Sequence, residues 1–183
     1  MEPMQALSQD HRVIERMLNV LESAVARVQS GAQVRAALFV EAADFIRNFA
    51  DACHHRKEEE GLFPALEMAG LPRHGGPVGV MLGEHDEGRR FSAALRAAAE
   101  KLAAGDAAAA QEVAHSARNY TGLMRQHIMK EDNVLFMMAR NVLDPDRQAA
   151  LSEQFSRIEQ EANCREKYLA LVDALERELQ AKV

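Results

Sequence analysis

An internal repeat limits what this chain can fold into. Asp10-His11 recurs as Glu84-His85. The run His54-His55-Arg56-Lys57-Glu58-Glu59-Glu60-Gly61-Leu62-Phe63 recurs as His127-Ile128-Met129-Lys130-Glu131-Asp132-Asn133-Val134-Leu135-Phe136. Each half supplies an acid-His pair on one helix and a His-x-x-x-Glu on the next, with Lys before the Glu and Leu-Phe after it. One such motif is usually a solvated i,i+4 pair. Two in the same order and at matching distances point to duplicated helix pairs facing one centre. Residues i and i+4 share a helix face. A pseudo-twofold would therefore gather His11, His54, Glu58, His85, His127 and Glu131 around one point. Four neutral imidazoles and two carboxylates suit two divalent ions, each taking two histidines, with both glutamates bridging. An oxygen bridge from water and an open position for a small molecule complete the expectation. Nitrogen and oxygen donors without thiolate fit iron or manganese better than structural zinc.

The rest of the sequence reads as helix. Apolar residues Leu7, Ile14, Leu18, Leu21 and Val25 recur at three- and four-residue steps, predicting a first helix over 4–29 that Ser30-Gly31 stops. A second starts near Gln33, and Pro64 should kink or break it. Gly70 to Pro77 is a loop. A third helix spans about 78–104. A fourth, capped by Asp106, runs to about Val142. A single fifth helix opens at Asp144-Pro145, with an apolar stripe through Leu151, Phe155, Ile158, Leu169, Val172, Leu175 and Leu179. The stripe leaves two packings open, on the bundle or on a second copy as a homodimer. The chain divides accordingly into 1–143, which carries the motifs, and 144–183.

Aromatics are only 5% of residues and Trp is absent, which favours helix over sheet. A net charge of −6 argues against nucleic acid or an anionic membrane as partner. The N-terminus lacks the basic and apolar regions of a signal peptide, so a cytoplasmic location is expected. Cys53 and Cys164 are too few for a disulfide framework or zinc ribbon, and both are expected to be reduced and structural.

The set His11, His54-x-x-x-Glu58, His85, His127-x-x-x-Glu131 resembles the haemerythrin-like family, also called the HHE cation-binding domain, over about residues 7–142. The resemblance implies an all-α, up-down-up-down four-helix bundle, here with an additional C-terminal helix, holding two non-haem iron ions, with manganese or zinc as substitutes. It implies a small diatomic or peroxide ligand: O2, NO or peroxide. Roles among relatives include oxygen binding, redox or iron sensing, peroxide breakdown and repair of iron centres in oxidative and nitrosative stress. Whether the centre turns over, reducing NO or degrading peroxide, is left open by the motif. Oxygen-carrying relatives place a further histidine one turn after the third-helix histidine; Arg89 stands there and cannot be a ligand. Three further residues lie beside the set. Tyr120, two turns before His127, is a candidate iron ligand, proton donor or packing group. Glu15 is a candidate carboxylate ligand or salt-bridge partner, with Arg89 as one possible mate. His55, about 100° from His54 on an α-helix, should sit behind the ligands of the centre or in solvent. Met124, Met129, Met137 and Met138 are candidates to line the pocket.

Overall fold

Helix α1, Pro3–Gln29, begins where the Glu2 side chain accepts from the Gln5 N–H at 3.1 Å and Pro3 takes the first turn. It ends at Gly31, whose φ of 80° gives the left-handed turn that stops it. The computed structural model describes residues 1–163 and 165–181. The second helical run covers 36–68 without a break. It comprises α2, Ala36–Phe45, a π-helical segment Ile46–His55, a second π segment Glu58–Leu62, and α3, Phe63–Met68. Helix α4 is Pro77–Ala103. Helix α5, Ala109–Lys130, passes through a π segment Glu131–Leu135 into α6, Phe136–Val142. Helices α7, Pro145–Ala162, and α8, Arg165–Gln180, close the chain. No strand occurs among the described residues, and no helix there is long and apolar enough to cross a membrane.

Helix α4 packs along α5 and against α2, and α1 lies against α5. Buried apolar residues form two clusters. The larger includes Leu18, Phe39, Phe49, Cys53, Leu95, Tyr120 and Ile128. The smaller includes Met4, Leu7, Leu62, Phe63, Met81, Leu135 and Phe136. Between their members, along each of the four helical runs, lie buried polar residues: His11 in the first, His54, His55 and Glu58 in the second, His85 in the third, His127 and Glu131 in the fourth. A dry sleeve of side chains thus encloses a polar centre from both ends. Polar groups tolerate such burial only when partnered.

Several sequence expectations change. The second helix starts at Ala36 rather than near Gln33. Pro64 neither ends nor splits its helix, because the π segment Glu58–Leu62 directly precedes it and the ladder there is already re-spaced. Asp106 caps a turn one step ahead of α5, accepting from the Ala108 N–H at 3.0 Å. The single C-terminal helix is two, parted at Asn163, which takes φ 43°. Asparagine tolerates that left-handed conformation better than other non-glycine residues. The stripe of α7 and α8 lies on the chain's own bundle. Leu151 and Phe155 join the smaller cluster, and Tyr168, Val172, Leu175 and Leu179 the larger. Cys53 is disulfide-bonded rather than reduced; Cys164 lies outside the described residues.

A candidate metal centre

The duplicated motifs do converge. His11, His54, Glu58 and Glu131 present ligand atoms all within 4.8 Å of one another, and so do His55, Glu58, His85 and His127. Glu58 belongs to both groups. All seven residues are buried. Nε2 of His11 lies 3.1 Å from Glu131 Oε2 and that of His127 3.3 Å from the same oxygen. His85 Nε2 is 3.4 Å from Glu58 Oε2, and His54 Nε2 is 3.6 Å from Glu58 Oε1.

His55 is the residue that sequence reasoning misplaced. It is buried, inside the second group, and stacked on His85 at 3.9 Å between ring centres. The cause is backbone geometry. Both His54 and His55 close the π segment Ile46–His55. A π turn bonds i to i+5 and spreads more residues over each turn, so neighbours diverge by less than the roughly 100° of an α-helix. Both imidazoles can then face inward. The repeat is broken here: the matching residue in the second half is Ile128, at the end of α5, where the backbone is ordinary α-helix. The histidines therefore divide two and three between the groups, instead of two and two.

Each of the five imidazoles turns its Nδ1 toward a carboxylate. His11 meets Asp132 at 2.9 Å, His55 meets Asp51 at 2.8 Å, His85 meets Glu59 at 2.7 Å and His127 meets Glu84 at 3.0 Å. His54 faces Asp10 at 3.7 Å. A carboxylate on one ring nitrogen fixes the tautomer and leaves the other nitrogen as a metal ligand. Except for Asp51, each of these acids adjoins a motif residue in sequence and reaches across to a different helical run. The acid before each lone histidine (Asp10, Glu84) serves the His of the next run, and the acid after each motif glutamate (Asp132, Glu59) serves the lone histidine. Phe136 stacks on His11 at 5.3 Å and Phe63 on His85 at 5.6 Å, so the Leu-Phe tail of the repeat also serves the centre.

Burial and crowding set the charges. Burial raises the Glu58 carboxyl well above the ordinary range, and the neighbouring Glu131 raises it further. Burial would raise Glu131 as well, but His127 and His11 overcome it and bring it down to about 2. Burial opposes a proton on His11, yet Asp132 and Glu131 lift it to about 9. Burial lowers His54 to about 3, and His55 and His85 are lowered by the same cause. Both Glu58 oxygens, Glu131 Oε1 and both ring nitrogens of His54 are buried without a hydrogen-bond partner. Orphaned buried acceptors are costly. A bound cation would satisfy the Glu58 and Glu131 oxygens and one ring nitrogen of His54, whose Nδ1 faces Asp10, so the donor set fits a metal pair.

The flanking candidates are placed as follows. Arg89 does not pair with Glu15. Its guanidinium donates to Glu59 at 2.5 Å and lies 3.7 Å from Asp51, so it spans the carboxylates behind His85 and His55. These residues line a surface cleft of 460 Å³ together with Arg47 and Arg56. Glu15 pairs with Arg12 at 3.0 Å, and Arg12 also grips Asp132. Tyr120 is buried with its hydroxyl unpartnered, and burial plus the Asp51 charge push its pKa well above the usual value. Met124 is buried, whereas Met129 and Met137 are about half exposed and line no interior pocket.

Comparison with known proteins agrees with this geometry. Uncharacterized proteins from two strains of Mycobacterium tuberculosis and from Mycobacterium bovis are 30% identical over 149 residues, which is 81% of this chain. The chain spans only 58% of the length those relatives have. No solved structure matches it. The family described as the hemerythrin HHE cation-binding domain matches residues 2–139, a stretch that contains every residue of both ligand groups. The chain belongs to that family.

Proposed function

We propose that this chain is a non-haem di-iron protein whose centre takes a small oxygen-bearing ligand, O2, NO or peroxide, in the response to oxidative or nitrosative stress or in redox or iron sensing. The observation that carries the reading is the set of five imidazoles, each backed by a carboxylate, converging on two buried glutamates with unpartnered oxygens. His11, His54, Glu58 and Glu131 would hold one ion, and His55, His85, His127 and Glu58 the other. A bound iron pair would supply one-electron chemistry and open coordination positions. The protein's part is to fix the imidazoles, to keep bulk water away through two apolar clusters, and to offer the buried Tyr120 hydroxyl as a proton-bearing neighbour. The same reading includes an up-down-up-down arrangement of the runs 3–29, 36–68, 77–103 and 109–142. Short connections and the packing of α4 on α5 and α1 on α5 support it.

The division of histidines favours a centre with two unlike ions. The group with two histidines has fewer fixed nitrogen donors and is where an exogenous ligand would enter. Protein purified without added chelator is expected to carry about two irons per chain, and its optical spectrum should change on exposure to O2, NO or peroxide. Iron-free protein that stays iron-free after anaerobic reconstitution would sink the reading. Turnover of peroxide or NO faster than free iron would extend it to an enzyme.

A further inference from the structure

The two halves of the centre are braced alike, with one exception. In the second half, Glu84 accepts from a single cation, Lys130, and sits 3.0 Å from His127 Nδ1. In the first half, the matching Asp10 accepts from the matching lysine, Lys57, at 2.9 Å, and also from Arg165 at 2.7 Å. Its distance to His54 Nδ1 is 3.7 Å. Lys57 is in turn shared with Glu159 at 3.2 Å, and Arg165 lies 3.7 Å from that same carboxylate. Asp10 and Lys57 are both buried. Glu159 and Arg165 belong to α7 and α8, beyond the family-matched stretch 2–139. Of the five site histidines, only His54 lacks a hydrogen bond on either ring nitrogen.

We propose that Arg165 is a positioning residue for the metal centre. By drawing Asp10 toward α8, it loosens the brace on His54, so the C-terminal helix pair makes the ion held by His11, His54, Glu58 and Glu131 the more readily released of the two. The inference rests on the metal reading above. Its physical basis is competition for one carboxylate. Asp10 has two oxygens: Arg165 holds one, and Lys57 and His54 compete for the other. Glu84, without a second cation, closes fully on its histidine. The molecule therefore contains its own control.

The test is the release of iron(II) from the anaerobically loaded full chain to an excess of optical chelator. Wild-type protein should release iron in two phases. Arg165→Gln should slow the faster phase about tenfold, the lower range for a change behind a metal-bound histidine. Arg165→Lys, which keeps the cation, should release at the wild-type rate. In an Asp10→Asn background the Arg165→Gln change should have no effect, since the two act through one contact. Circular dichroism establishes that each variant is folded. A fast phase that is unchanged or quicker in folded Arg165→Gln overturns the proposal and leaves the metal reading standing. Wild-type protein that takes up no iron overturns both.

Discussion

At the residue scale, Glu58 and His55 make the clearest claims. Glu58 belongs to both ligand groups, and both its oxygens are buried without a hydrogen-bond partner. Glu58→Leu, which removes both unsatisfied oxygens, should therefore act in opposite directions. It should abolish iron loading at both positions, read by metal analysis, and raise the stability of the metal-free protein by about 1–3 kcal/mol, the cost of an unsatisfied buried group. A purely structural Glu58 would show neither effect. His55→Leu, close to the Ile128 that occupies the matching place, should lower loading from about two ions per chain to about one, because it removes a ligand from one group only. Unchanged stoichiometry would return His55 to a packing role. His55 also shows where sequence reasoning stopped. The other six ligand-group residues were legible because the repeat counts them twice. His55 has no counterpart, and its direction depends on π turns that a 100° wheel does not represent. One signal was available: Asp51, four residues before it, is an acid placed to hold its ring.

At the element scale, most helix boundaries were legible from caps, glycines and apolar spacing, because these are local. What was not legible depended on packing between distant elements. The break at Asn163 is an example, and the seating of α7 on the second helical run is another. Gly61 lies beneath that seat. A Cβ there would stand 2.9 Å from the Phe155 ring and 3.3 Å from Leu151. In the repeat the matching residue is Val134, which is half exposed. Gly61→Ala should consequently destabilise the protein by about 1–3 kcal/mol, the usual range for overpacking, although alanine is the better helix former. Gly83→Ala, in α4 with open space around it, is the control and should stabilise by about 0.5–1 kcal/mol. Thermal melting of the two variants decides this. A gain at both positions would mean that α7 sits less tightly than the structure places it.

At the scale of the whole molecule, the centre makes stability a function of pH and metal. A raised folded pKa contributes stability that is present below the unfolded pKa and lost as pH rises. A lowered histidine pKa does the reverse, because the unfolded chain takes up protons that the folded chain refuses. His54, His55 and His85 are lowered, His54 to about 3. From the unfolded value of about 6.5 downward, these three progressively favour unfolding. Glu58, raised, works against them from about 4.5 upward, but it is one group against three. Above about 6.5 the three have no further effect. There His11, raised to about 9, loses its contribution as pH climbs. The metal-free protein should thus be most stable near pH 6.5 and weaken on both sides. His11→Leu should flatten the alkaline limb alone. Metal reverses that limb. A cation needs His11 without its proton, so loading strengthens as pH rises toward 9. At a free iron(II) concentration about 100-fold above its dissociation constant, loading should add about 2.7 kcal/mol. Melting curves from pH 4.5 to 9, with and without iron(II), measure both effects. A metal-free stability that rises steadily to pH 9 would show that His11 does not hold its proton there, and a metal increment that shrinks as pH rises would show that protons and cations do not compete for it.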